Sequence, residues 1–338
     1  MPPNAFSVSV IICNFNYEKF LDQAVQSALA QTHPAKEVIV VDDGSTDGSW
    51  DLLQHYQGQV QLIRKENGGQ ISAYNAGLPH ITADFVIFLD SDDFLDRDCI
   101  EVLSQRLRDD IVKAHWRMRL VDGDGHETGA RIPTLLFDGK ADHARLSKGI
   151  MPPSSPGSGN VYNVGMLRSV MPLPVDEVDR HGADFFAIRA MTWLGTVLAI
   201  EDRELGCYRI DASKEASSLV FGNAAKRKAY TYQSRIDRFK RWFSERRPEL
   251  ANLVPAVDID FSIQKQSYAL SIFSGEGYWK GLSAGSTLWP DLIRAIWYRE
   301  GGGVAKIALT MWSAFVLLAP RRLGLPVAGY VCNPARRV

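Results

Sequence analysis

The chain has 338 residues, 46% of them hydrophobic, with 38 Lys and Arg set against 39 Asp and Glu for a formal net charge of −1. The hydrophobic content excludes a disordered protein, and the charge balance excludes capture by nucleic acid through an overall basic field. A chain of this length has room for one large core, or for a domain with an extension.

Met1 to Phe6 shows no basic segment leading into an apolar one, so no secretory leader is expected and the protein reads as cytoplasmic. Val8, Val10, Ile11 and Ile12 make a first buried strand that ends at Asn14-Phe15-Asn16-Tyr17. Phe20, Leu21, Ala24, Val25, Ala28 and Leu29 then recur at three- and four-residue intervals, one apolar helix face closed by Pro34. Val38 to Val41 is a second strand. It stops in Asp42-Asp43-Gly44-Ser45-Thr46-Asp47, where Ser45, Thr46 or Asp47 can cap the helix carrying Leu52 and Leu53. Val60 to Ile63 is a third strand, and Glu66-Asn67-Gly68-Gly69 turns into a helix from Ile71 to Leu78. Val86 to Leu89 is a fourth apolar run that ends in Asp90-Ser91-Asp92-Asp93.

Strands and helices that alternate with short connections predict an α/β fold, a doubly wound, mainly parallel sheet with helices on both faces. The carboxyl ends of parallel strands share one edge, and ligands bind there. Asp42 and Asp43 therefore face the same crevice as Asp90, Asp92 and Asp93. Carboxylates crowded at one edge repel one another, and Mg²⁺ or Mn²⁺, which prefer oxygen ligands, relieve the repulsion. The plainer alternative is an Asp cluster capping the helix near Asp96 to Arg106.

Six blocks, Ser9 to Asn16, Gln31 to Pro34, Glu37 to Asp47, Asn67 to Gly69, Asn75 to Gly77 and Phe88 to Asp93, resemble in order and spacing the family-2 inverting glycosyltransferases with the GT-A (Rossmann-like) fold. The match is close over about residues 7 to 110. The resemblance implies transfer of a sugar from a nucleoside-diphosphate donor of UDP or dTDP type to a saccharide or lipid-linked acceptor, as in cell-surface polysaccharide or glycolipid synthesis. It implies that Asp43, or its neighbour Asp42, reads the base. Cys13 to Asn16, with Asn14 and Asn16, would approach base and ribose, and Asn67, Gly68, Gly69 and Asn75 would lie along the nucleoside. Asp90-Ser91-Asp92 stands where the family has its DxD motif. Asp92 would hold the divalent ion, with Asp90 second or nearer the ribose, while Asp93 either adds a ligand or caps the next helix. Tyr74 stands where the family often has arginine, so one cation for the diphosphate is missing. Asp184, in Arg180 to Arg189, matches the second acid of the family's Glu-Asp pair and is the implied general base. Ala183 replaces the first acid, and His181 is the competing base.

Lys113 to Val121 reads as a strand, Asp122-Gly-Asp-Gly125 as a turn without EF-hand spacing, and Pro152 to Gly159 as a flexible loop, which the resemblance puts on the acceptor side. Glu201 to Ile210 reads as the last strand of the domain, with Asp211 where relatives carry histidine. The four cysteines, Cys13, Cys99, Cys207 and Cys332, lack metal spacing and read as reduced thiols. The pattern divides the chain into a catalytic domain, 1–215, and a mainly helical extension, 216–338. Lys226-Arg-Lys228, Arg235, Arg238, Lys240, Arg241, Arg246 and Arg247 interleave with Tyr230, Tyr232, Ile236, Phe239, Trp242 and Phe243. That pattern is a helix packed on the domain or, alternatively, a face toward an anionic membrane surface or a lipid diphosphate. Trp297, Tyr298 and Trp312 with Arg321-Arg322 extend the membrane-surface expectation, a peripheral association with the inner face of the cell membrane. No RNA-binding motif accompanies the basic residues. A sugar nucleotidyltransferase would need a glycine- and arginine-rich loop where Asn14-Phe-Asn-Tyr17 stands. The remaining alternative is a catalytically idle sugar-nucleotide-binding or scaffold protein at a membrane assembly.

Overall fold

Four apolar runs build the parallel half of one sheet in the computed structural model, which describes residues 6–177, 179–210, 229–273, 277–299 and 301–332. Strands β1 (Val8–Asn14), β2 (Val38–Asp42), β3 (Gln61–Arg64) and β4 (Phe85–Asp90) lie side by side in the order β3-β2-β1-β4, all parallel. Their register pairs Asn14 with Asp42 and Cys13 with Asp90, so the acidic strand ends meet at one edge as the sequence predicts. Successive side chains on a strand point to opposite faces. Ile11, Ile39, Val86 and Phe88 therefore join one core, and Val10, Ile12, Val40 and Ile87 join another. Helix α1 (Glu18–Leu29) covers the second core with Leu21, Ala24, Val25 and Ala28, the face its spacing predicts. Helices α2 (Ser49–Gln54), α3 (Gln70–Gly77) and α4 (Cys99–Arg106) complete this half.

The other half is mixed. Strand β5 (Phe94–Leu95) runs antiparallel to the long β10 (Thr196–Arg209), which is parallel to β6 (Ile111–Val121). Strand β7 (Glu127–Ile132) returns along β6 after the expected turn at Asp122 to Gly125, and β8 (Gly139–Lys140) borders β10. A short helix, α5 (His143–Leu146), precedes β9 (Asn160–Asn163), which is inserted antiparallel between β4 and β6. Helix α6 (Val164–Arg168) leads on to α7 (Ala183–Leu194). Four residues, Asn-Val-Tyr-Asn, carry too little periodicity for β9 to be predicted.

The basic, aromatic helix is α8 (Ala229–Arg246), and its apolar stripe packs on the domain, the first of the two alternatives for this segment. Ile236, Phe239, Trp242 and Phe243 are buried in the same core as Phe185 and Phe186 of α7, with Trp242 edge-on to Phe186 at 5.8 Å between centroids. Arg235 and Arg238 are 4% and 9% exposed, and both guanidinium groups close on the Asp179 carboxylate, at 2.6 and 2.7 Å. These two cations are consumed inside the protein, while Arg241 is exposed. Lys226 to Lys228 and Asp211 lie outside the described residues, as do the side chains of Tyr230 and Tyr232.

The boundary expected near residue 215 falls in that same gap. Beyond it α8 shares the catalytic core, and a separate core forms only where α9 (Phe261–Phe273), α10 (Tyr278–Tyr298), α11 (Gly303–Leu318) and α12 (Arg321–Cys332) bundle around Tyr268, Leu292, Ile296 and Val316. Trp312, expected in an interfacial belt, belongs to this core at 8% exposure, because its ring packs toward Tyr268. Among the described residues no helix is long and apolar enough to cross a membrane. The four cysteines form no disulfide.

Removing one partner of a buried ion pair strands the other charge, at about 3–5 kcal/mol. Asp179→Ala, which strands the buried Arg235 and leaves Arg238 only its 3.2 Å pair with Asp176, should therefore lower the unfolding free energy by about that amount in a denaturant titration.

Candidate active site

The β1 and β2 ends are stitched together before any ligand is considered. Asn14 Nδ2 donates to Asp42 Oδ1 and to Ser45 Oγ, each at 3.1 Å, and the wholly buried Asp42 also accepts the Ser45 amide at 3.2 Å. Arg64 approaches Asp42 at 3.4 Å. Asn16, at φ 58°, holds a left-handed backbone that Asn tolerates, and its Oδ1 accepts the amide of the distant Thr46 at 2.7 Å. Asp42 thus closes the turn, whereas Asp43 reaches across to the loop after β3. Its Oδ1 accepts Lys65 Nζ at 2.6 Å and the Gly68 amide at 3.0 Å, and its Oδ2 accepts the Gly69 amide at 2.6 Å. Of the two aspartates left open by the sequence, Asp43 is the one bonded to the Asn67 to Gly69 loop.

That loop also meets the segment before α7. Arg180 donates to the Asn67 carbonyl at 3.2 Å, and the Ile71 amide donates to the Arg180 carbonyl at 3.3 Å. Gly69 has φ 84°, and a Cβ there would lie 2.4 Å from the Arg180 carbonyl oxygen, so a side chain is excluded on both counts. Asn75 lies apart from this loop in its bonding. Its amide exchanges two hydrogen bonds with the Leu173 backbone, at 2.9 and 2.8 Å, and so clamps that segment to α3.

Asp90 is the centre of the acidic edge. Gln70 Nε2 donates to its Oδ1 at 2.9 Å, and Gln70 Oε1 accepts the Gly182 and Ala183 amides at 3.0 and 3.2 Å. One glutamine therefore ties Asp90 to the start of α7, where Asp184 sits in the first turn. A Cβ on Gly157 would be 3.5 Å from Asp184 Cβ, 3.6 Å from Asp90 Oδ2 and 3.7 Å from Tyr74 Oη. The two acids flank a floor made of bare backbone. The Ser158 hydroxyl accepts the Asp90 amide at 3.1 Å, and Asn160 Nδ2 donates to the Ser155 and Pro156 carbonyls at 3.1 and 2.7 Å. The segment expected to be a flexible loop is instead a packed turn, because its serines and Asn160 satisfy its backbone.

Burial, then the Asp92 and Asp184 carboxylates, push Asp90 up to about 7. Burial and Asp90 likewise push the Tyr74 phenol up. Tyr74 replaces the expected cation with a ring stacked on Phe88, 3.7 Å between centroids. Asp93 caps no helix, since α4 has Asp98 at its N-cap. Only 1% exposed, it accepts the Arg209 amide at 2.9 Å, while Arg209 Nε donates to the Asp92 carbonyl at 2.9 Å. These bonds fasten the end of β4 to β10. His181 is exposed.

Among the described residues no three His, Cys, Asp or Glu side chains converge as a ready-made metal cage. An all-oxygen pair, Asp90 and Asp92, under mutual repulsion suits a hard cation that takes one or two carboxylates and completes its shell with substrate phosphate. The residues present fit Mg²⁺ or Mn²⁺ brought with a nucleotide.

Sequence reasoning missed Gln70, Ser158 and Lys113. Lys113 is 1% exposed on β6 and donates to Ser154 Oγ at 2.7 Å, and burial holds it down to about 7. β6 also carries His115, Arg117 and Arg119, so nothing in its pattern marks Lys113 as buried.

The model of "Glycosyl transferase family 2" matches residues 9–150. An uncharacterized glycosyltransferase of Nostoc sp. is 32% identical over 220 residues, which cover 62% of this chain and 67% of that protein. The putative teichuronic acid biosynthesis glycosyltransferase TuaG of Bacillus subtilis is 41% identical over 98 residues, 28% of this chain and 39% of its own length. Several other relatives match over less than two thirds of their own length. Among solved structures, residues 1–349 of S. aureus TarS, in complex with UDP-GlcNAc, superpose with a TM-score of 0.57 at 14% identity, over 96% of this chain and 90% of that one. The sheet with its C-terminal helices is a GT-A-type architecture.

A lysine depressed from 10.5 to about 7 by burial opposes folding wherever the unfolded chain carries its proton and the folded chain does not. Wild-type stability should therefore rise with pH between about 7 and 10. In denaturant titrations Lys113→Met should be the more stable protein at pH 7 and lose that advantage toward pH 10.

Proposed function

The chain belongs to the family-2 glycosyltransferases, and on that premise we propose that it is an inverting enzyme that moves a sugar from a nucleoside-diphosphate donor to a saccharide or lipid-linked acceptor. The observation that carries this reading is the Gly157 floor, with Asp90 on one side and Asp184 on the other. Inversion in one displacement needs the leaving diphosphate and the incoming hydroxyl on opposite faces of the sugar. Two acids across a strip of backbone leave room for the ring between them.

On the donor side, Asp43 offers a carboxylate that accepts hydrogen bonds, which suits the N3–H of uracil or thymine. In this structure it is engaged by Lys65, Gly68 and Gly69, so nucleotide entry would exchange at least one of those bonds for one to the base. Asn14 and Asn16 shape the turn that Asp43 springs from, and Asn67 and Gly68 form the opposite lip. Asp92, with Asp90 beside it, would hold Mg²⁺ or Mn²⁺. Such an ion supplies charge stabilisation to the departing nucleoside diphosphate.

On the acceptor side, Asp184 lies in the first turn of α7, where its Oδ1 accepts the Phe185 amide at 2.9 Å. Its role is to take the proton of the acceptor hydroxyl as oxygen bonds to the anomeric carbon. Gln70 keeps the two walls in register. The names of relatives such as the teichuronic acid enzyme and a cholesterol galactosyltransferase of Borreliella burgdorferi support a role in making cell-surface polysaccharide or glycolipid.

General-base catalysis is commonly worth about 10²–10⁴-fold. With a donor found by calorimetric screening of UDP- and dTDP-sugars with Mn²⁺ or Mg²⁺, Asp184→Asn should lower kcat by that factor and leave donor affinity unchanged. Near-normal transfer by that variant would exclude Asp184 as the base. Asp92→Asn should instead abolish the dependence of donor affinity on the divalent ion. Slow metal-dependent hydrolysis of the donor without acceptor would separate an enzyme from an idle binding protein.

A further inference from the structure

The C-terminal helical bundle carries two surface features that the transferase reading does not use. The first is on α11. Val304, Ile307, Met311, Phe315 and Leu318 fall at intervals of three and four residues, hence on one face of the helix, and they are 46–85% exposed. From Val304 to Leu318 the stripe rises about 21 Å, at about 1.5 Å per residue. Soluble surfaces scatter such residues singly, and an aligned row marks a contact with an apolar phase. Exposed aromatic pairs stand at both ends. Tyr278 donates to the Leu318 carbonyl beside the 78% exposed Trp279, and Lys306 donates to the Trp297 carbonyl beside Tyr298.

The second feature is a cavity of about 450 Å³ at the Lys306 end of that stripe, lined by Arg145, Lys148, Arg299 and Lys306 with Trp297 and Tyr298. It lies between the α5 region of the catalytic domain and the bundle. Arg145 donates to the Tyr298 carbonyl at 3.0 Å, which holds the two walls together. Among the described residues that line it, four are cations and none is an acid. Charge is skewed in the same sense along the sequence, since residues 277–338 contain eight Lys and Arg and two acids, Asp291 and Glu300.

From this juxtaposition we infer that the bundle docks on an anionic phospholipid surface, with the α11 stripe in the acyl boundary and a lipid phosphate in the cationic cavity. An apolar row alone would suit a second copy of the chain. The adjoining cations oppose that, because two such cavities brought together would repel. A cationic cavity alone would suit free phosphate, but the row beside it continues into a region with no polar partner to offer. A bilayer meets both needs at once, since its charged and apolar layers are stacked in that order, and interfacial Trp and Tyr sit at the seam between them. None of this depends on Asp184 or on the identity of the donor.

The test is flotation of the full chain with vesicles of phosphatidylethanolamine and phosphatidylglycerol, beside vesicles of phosphatidylcholine and a calorimetric titration with inorganic phosphate. The wild type should float with the anionic vesicles and not with the zwitterionic ones. Ile307→Glu with Met311→Glu should lower the floated fraction at least tenfold, and Val304→Glu, at the most exposed point of the stripe, should lower it with less disturbance of the bundle. Lys148→Gln with Lys306→Gln should remove the preference for phosphatidylglycerol. Unchanged thermal unfolding would show that these variants are folded. Failure of the wild type to float overturns the inference, as does full flotation of the stripe variants. It is also overturned if the stripe variants turn a sedimenting dimer into a monomer, or if inorganic phosphate binds while the lysine variants float as the wild type does.

Discussion

Repulsion among carboxylates at the end of β4 is the constraint around which this molecule is arranged. A strand buried on both faces delivers Asp90 into a dry crevice, and Asp92, Asp93 and Asp184 all lie close enough to act on it or on each other. Bulk water would screen such a cluster, and burial removes that screening. Two devices keep it folded. Asp93 accepts the Arg209 amide, so its position is set by backbone, and Gln70 neutralises one Asp90 oxygen by hydrogen bonding. On the function proposed above, a divalent ion and a diphosphate would relieve the repulsion that remains.

The same crowding explains why the floor is glycine. A side chain on Gly157 would stand between Asp90 and Asp184, and one on Gly69 would strike the Arg180 backbone. Removing side chains at these points brings three chain segments within reach of one glutamine. Gln70 then couples the donor wall to the acceptor wall through two amides and one carboxylate, without a charge of its own to add to the repulsion.

Much of this is legible in the sequence for a physical reason. Strands β1, β2 and β4 are buried on both faces and so read as nearly continuous apolar runs, and at β2 and β4 the acids follow directly in the chain. What is illegible is whatever depends on a distant partner. Asp179 stands 56 residues before Arg235, so the basic face of α8 has the same periodicity whether it meets solvent, lipid or a buried carboxylate. Gln70 looks like an ordinary first-turn residue until Gly182 is brought to it from 112 residues away. Tyr74 is readable as a missing cation, but its stacking on Phe88 is not. Strand β9 is too short to carry a period.

Helix α7 links these levels. Its first turn holds Asp184, and five residues on, about 7.5 Å along the axis, Arg189 is 8% exposed and donates its Nε to Asp258 at 3.0 Å. Asp258 lies just ahead of α9, and the next residue, Ile259, donates its amide to the Gly149 carbonyl at 2.7 Å. Asp258 is itself buried, so the pair resists separation more than an exposed pair would. The helical bundle is therefore registered against the helix that carries Asp184 rather than tethered through a free linker. If Asp184 is the base proposed above, any surface that orients the bundle would also fix the direction from which an acceptor reaches it. For a lipid-linked acceptor, that direction decides which hydroxyls the site can reach.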